Sequence, residues 1–156
     1  MWMRRRAIAA TAILILFSAL HAAAQDSIKG PWHAASNTAS NITGDIQFSG
    51  SMISIDFRGF PIAFARALKP EEVSAVFDED LNTAGPGALY RLNVSATLKF
   101  LHHNTLCGTE ETQWLATYVS GRTLRAAFFS GTAPPVFTID AISNSPNLCG
   151  TYTFVR

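Results

Sequence analysis

Charge is scarce in this chain. Asp, Glu, Lys and Arg make up 15% of it, and there are only four histidines and two cysteines in 156 residues. The one basic run is Arg4-Arg5-Arg6. Without it, nine Lys and Arg face eleven Asp and Glu, a net charge of −2. Such a balance offers no electrostatic footprint for nucleic acid and no polybasic segment for an anionic membrane surface. No G-x-S-x-G, H-E-x-x-H or C-x-x-C occurs, so the usual hydrolase elbow, zinc-protease helix and dithiol redox pair are absent. His102 and His103 are adjacent, and in a strand they would point to opposite faces rather than share a ligand sphere. Asp78-Glu79-Asp80-Leu81-Asn82 opens like a calcium loop. Thr83 stands where the sharp-turn Gly belongs, and Leu89 where a bidentate Glu belongs, so the segment reads as a solvated acidic loop. No catalytic residue, metal or cofactor is expected.

What is present begins at the N-terminus. Arg4-Arg5-Arg6 is followed by an apolar run, Ala7 to Leu20, and then by Ala22 and Ala24 in an A-x-A pattern. These are the three parts of a cleavable signal peptide, predicted to span residues 1–24. At about 14 residues the run falls short of the roughly 20 that cross a bilayer as a helix. No cysteine lies near the cleavage site to accept a lipid. Arg4-Arg5-Arg6 also fits a twin-arginine signal. Basic n-regions often carry such runs, so general secretion is the expectation. Residues 25–156 then form a single periplasmic or secreted domain, with no membrane insertion after cleavage.

In an exported chain, an even cysteine count points to a disulfide, here Cys107 to Cys149. Leu106-Cys107-Gly108-Thr109 recurs as Leu148-Cys149-Gly150-Thr151, each copy following a turn-like Asn segment and preceding a strand-like run. The expectation is two similar turn-to-strand entries clamped side by side. Closing a loop of this length is worth about 4 kcal/mol in the chain-entropy model.

The rest reads as β. Met52 to Phe57 alternates, with Ile53, Ile55 and Phe57 on one face, and Arg58-Gly59 looks like a tight turn. Phe60 to Leu68 alternates again, with Phe60, Ile62, Phe64 and Leu68 on one face. Residues 42–48 are expected to pair with Met52 to Phe57 across Ser49-Gly50. Tyr90, Leu92 and Val94 share a face. Trp114 to Val119, Ser120-Gly121 and Thr123 to Phe129 make the clearest hairpin. Thr151 to Val155 is a final strand. Pro70 to Phe77 suits a short helix, and Gly131 to Ser145 a loop. Seven or eight short strands joined by hairpins predict an all-β fold: a small antiparallel barrel, with a sandwich as the alternative.

Gly30-Pro31-Trp32 resembles the G-x-W that opens lipocalin-type barrels. That resemblance implies Trp32 at one barrel end with a late arginine, Arg125 or Arg156, packed over it. The stretch from Thr105 to Arg156 resembles small exported proteins of alphaproteobacteria, a family without an assigned activity, and implies no catalytic residue. Ala127-Phe-Phe-Ser130 resembles a word found in periplasmic metalloprotease-inhibitor barrels, although their cysteines are placed differently.

Arg66 interrupts an apolar strand face, and reads as a ligand anchor or as a rim residue with its head in water. With Trp114 and Tyr118 it makes the candidate ligand-binding set. Two functions compete. One is a binding module for a small apolar ligand held inside the barrel. The other is a protein-interaction module, such as a hydrolase inhibitor or envelope-assembly component, acting through loops, above all Ala133 to Leu148. A barrel filled by Phe60, Ile62, Phe64, Trp114, Tyr118 and Phe128 would favour the loops, and a large cavity the ligand.

Overall fold

The computed structural model describes residues 27–156; the signal-peptide expectation lies outside the described residues. Nine strands form one antiparallel sheet: β1 (Gly30–Ala34), β2 (Ile46–Ser49), β3 (Met52–Ile55), β4 (Arg58–Pro61), β5 (Ala63–Leu68), β6 (Gly87–Val94), β7 (Thr112–Ser120), β8 (Thr123–Ser130) and β9 (Leu148–Val155). Three short helices interrupt them: α1 (Asn37–Ile42), α2 (Pro70–Phe77) and α3 (Ile139–Ser143). The spatial order is β4-β3-β2-β1-β9-β8-β7-β6-β5.

The two outer members of that order are consecutive in the chain. Only Ile62 separates β4, which pairs with β3, from β5, which pairs with β6. Ile62 itself donates to Ser51 O (2.8 Å). One bent strand therefore closes the sheet on itself, and the fold is the expected small barrel, nearly closed, in which neighbouring segments cover strand edges that would otherwise be exposed.

Two local features differ from the sequence reading. The β3–β4 turn is Asp56-Phe57, not Arg58-Gly59, because Ile55 pairs with Arg58 and Ser54 with Gly59. Gly59 lies in the ladder, where the terminal methyl of Met52 would have to shift to admit a Cβ (2.8 Å). Phe57 thus leaves the strand face on which it was placed. In β5 the register shifts between Phe64 and Arg66. A bulge adds one residue and flips everything after it to the other face. Phe64 stays inside, while Arg66 and Leu68 turn outward.

The strand expected over residues 42–48 begins only at Ile46, and Ile42 is instead the last residue of helix α1. Ser36 caps it, its Oγ accepting from Ala39 N (3.2 Å), and also accepts from Thr153 N (3.1 Å). The helix is thereby tied to β9. Asn104 Nδ2 reaches Asn41 O (3.0 Å) from the neighbouring single-turn helix Leu101–His103. Helix α2 starts at Pro70 and has Glu71 and Glu72 in its first turn, as an N-terminal dipole favours.

The sheet buries both faces. Inside the barrel, Trp32, Phe48, Phe128, Tyr152 and Phe154 are each at most 2% exposed and pack with Ile53, Ile55, Leu115 and Leu124. On the outer face of β5 to β8, a second core joins Leu68, Val73, Phe77, Leu89, Phe129 and Phe137. Helix α2 and the segment containing α3 cover that face. Cys107 and Cys149 form a disulfide (Cα–Cα 4.8 Å) joining the loop before β7 to the start of β9. Cys149 is the residue at which the β8–β9 register shifts.

Candidate functional site

Trp114 and Tyr118 do not line the interior. Both lie in the outer core, because Leu115 takes the inward position on β7. Trp114 Nε1 donates to Gly131 O (3.1 Å), and Tyr118 Oη accepts from Gly85 N (3.3 Å). Arg66 shares that outer side. Its guanidinium forms a two-pronged pair with Glu72 (2.8 Å each) and lies over the Phe137 ring. The pairing with Arg66 is the main reason the Glu72 carboxyl is held below its ordinary pKa. The structure thus brings the three proposed ligand residues to one side of the sheet, but to the covered side rather than to a pocket.

The two arginines considered for the barrel end separate. Arg156 lies 3.9 Å over the Trp32 ring and donates to Ser27 O (2.8 Å) and Lys29 O (2.7 Å). Trp32 Nε1 donates to Ile28 O (2.8 Å). Arg125 is on the outer face. It donates to Phe77 O (2.7 Å) and pairs with Glu79 (3.0 Å), holding the end of α2 against β8 as a basic residue at a helix C-terminus does. The two Leu-Cys-Gly-Thr copies also diverge. Gly108 sits in a turn at φ 64°, whereas Gly150 lies within β9.

Three surface features remain as places where something could bind. The first is a cleft of about 230 Å³ at the barrel end where β1 begins, lined by Ile28, Phe48, Ile62, Phe64 and Tyr90, with Lys29, Gly50 and Ser51 also contributing. Tyr90 is 3% exposed, and its hydroxyl has no hydrogen-bond partner. Tyr152 Oη, deeper in the barrel, has none either. Burial pushes both phenols up to about 12.

The second is the β3–β4 hairpin. Asp56 and Phe57 have φ values of 49° and 60°, as a two-residue type I′ turn demands. Phe57 is fully exposed. Beside it runs a groove of about 360 Å³ whose lining includes Pro31, Gln47, Ser54 and Leu101. The third is the 131–147 loop, where Val136 and Ile139 are 65% and 73% exposed. Val136 lines a groove of about 330 Å³ together with Pro134, Pro135 and Pro146.

Sequence reasoning missed Phe57 and Tyr90 as site residues. The alternation grouped Phe57 with Ile53 and Ile55, and Tyr90 with Leu92 and Val94, as members of apolar strand faces. The one signal for Phe57 was Asp56, a residue type that tolerates the left-handed region, but Gly59 outweighed it. His102 and His103 fall in an exposed turn. Among the described residues, no group of three or more His, Cys, Asp or Glu is arranged to hold a metal. No described helix is long and apolar enough to cross a membrane. Comparison with protein-family models, with curated proteins and with solved structures finds no match to this chain.

Proposed function

We propose that the protein is exported and works as a protein-interaction module, with the β3–β4 hairpin as its docking element. The observation that carries this is Phe57. A bulky side chain in left-handed backbone costs about 1 kcal/mol, which Gly would not incur. A fully exposed phenyl ring gains no packing within the chain to offset it. Local rules broken without internal compensation tend to mark functional positions. The filled interior points the same way, since a filled barrel favours its surface over its lumen. Export is supported by the disulfide, a bond that persists in oxidising compartments, together with the N-terminal pattern of residues 1–24.

A partner with an apolar pocket, such as a hydrolase to be inhibited or an envelope-assembly protein, fits a protruding aromatic ring. The test is site-specific photocrosslinking in the producing cell. A crosslinking side chain at position 57 should give one discrete adduct, and the same group at position 139 should give none. Adducts at 139 alone would move the docking surface to the 131–147 loop and overturn the hairpin assignment. Phe57→Gly should raise unfolding free energy by about 1 kcal/mol in urea titrations while abolishing partner binding.

A further inference from the structure

We infer that the cleft at the barrel mouth is a binding site for a compact, neutral, largely apolar molecule carrying one hydrogen-bond acceptor, which Tyr90 recognises through its hydroxyl. The inference is independent of the hairpin. It rests on two features that coincide. The cleft of about 230 Å³ is walled by Phe48, Ile62 and Phe64, the mix of apolar walls and few polar groups that small-molecule sites share. Within that wall, Tyr90 is 97% buried by its 3% residual exposure, and its Oη meets no protein acceptor.

A phenol buried without a partner is costly, and a ligand oxygen that accepts its proton removes the cost. The group is matched to donation. Its raised pKa keeps the proton in place across the whole physiological range, so it offers a donor to a ketone, aldehyde, ester or ether oxygen. The other lining residues set the rest of the selectivity. The only charged one is Lys29, which is exposed at the rim, so an ionised group would lose hydration without a buried counter-charge. A site built around a polar group rejects the analogue that lacks the matching atom far better than it rejects a missing methylene.

The register explains why the hydroxyl is left over. Phe64, Tyr90, Leu115, Phe128 and Gly150 are successive partners across five strands. They form one inward row whose first four members are apolar or aromatic. The row ends at Gly150, where a Cβ would be 3.4 Å from the Tyr152 ring. Tyr152 therefore fills the glycine's place, and nothing in the row accepts from Tyr90.

The experiment uses a matched pair of probes, acetophenone and α-methylstyrene, which share shape but differ in the carbonyl oxygen. Titrations followed by methyl NMR should show saturable shifts at Ile28 and Ile62, with acetophenone binding about tenfold tighter. Tyr90→Phe should bring acetophenone down to the hydrocarbon's affinity, whereas Tyr152→Phe should preserve the preference. Ser51→Trp, at the mouth, should weaken both probes. The inference is overturned if neither probe gives saturable shifts at the cleft, if the wild type binds both equally, or if Tyr90→Phe keeps the preference. None of these outcomes bears on crosslinking from position 57.

Discussion

The two faces of strands β6 to β9 solve the same packing problem differently. Outside, the polar atoms that come with large side chains are answered. Tyr118 has Gly85 N, Trp114 has Gly131 O, Arg125 has Phe77 O, and Arg91 reaches Gln113. Three of these partners come from loops or a helix end, which can adjust their backbone to meet a side chain, and Gln113 sits where the register of β7 shifts. Inside, the ladder has already used the backbone groups, and only side chains remain to pair with. Tyr90 and Tyr152 find none. A covered face can thus recruit polar partners from its cover, whereas inside a closed barrel they come from its ends, as Ile28 O does for Trp32, or from a guest.

The largest test of this contrast compares two adjacent phenylalanines, both fully buried. Phe128 packs inside against the Tyr152 ring (5.2 Å), and Phe129 packs outside against Phe137 (5.8 Å). Truncation to Ala generally costs about 3–5 kcal/mol, depending on how far the site can collapse. Phe128→Ala should fall near the top of that range because a closed barrel cannot settle. Phe129→Ala should fall near the bottom because the loop above it can. Urea midpoints that agree, or that reverse this order, would break the comparison.

A smaller effect separates the faces by pH. Tyr90 and Tyr152 hold their protons up to about 12 in the folded state, against about 10 when unfolded. Between these values the unfolded chain binds fewer protons, so stability that is complete below pH 10 is lost as pH rises through 12. The loss should reach roughly 2–3 kcal/mol per tyrosine, and replacing both with Phe should flatten the alkaline limb of the stability curve.

The smallest effect belongs to the outer face. The Glu72 carboxyl is depressed chiefly by the Arg66 hydrogen bond. Its contribution is therefore present above the ordinary carboxylate range and disappears as pH falls through the lowered value. The Arg66 side chain is 44% exposed, so solvent screening keeps the pair small. Glu72→Gln should cost under about 1 kcal/mol at pH 7, and nothing once the wild-type carboxyl is protonated.

The barrel, the disulfide, α2 and the β7–β8 hairpin were all legible from alternation, cysteine count and turn residues. What the sequence could not show was which face each alternating set would occupy. Period-2 patterning is blind to a single inserted residue, and the shift between Phe64 and Arg66 reverses every later assignment in β5. It is equally blind when both faces are apolar, which is why Trp114 and Tyr118 were placed inside. Helix α1 escaped because five polar and small residues followed by a single Ile carry no amphipathic stripe. Its visible signal was the Ser36 cap. The mouth cleft was not legible at all, since an unmet hydroxyl is a property of cross-strand neighbours rather than of any local string.

The pairing of β1 with β9 has a kinetic consequence. Most neighbours in this barrel are joined by short connections, but His33 meets Val155 and Ala34 meets Phe154 across about 120 intervening positions. Ordering that much chain for a four-residue seam is entropically expensive until the rest is in place. The meander from β5 to β9 is therefore expected to assemble first, with β1 zipping shut last. The two described tryptophans sit on opposite sides of that divide. Trp114 belongs to the early meander and Trp32 to the closing strand β1, next to the seam, so the chain carries its own fluorescent clock for the order in which the ring is made.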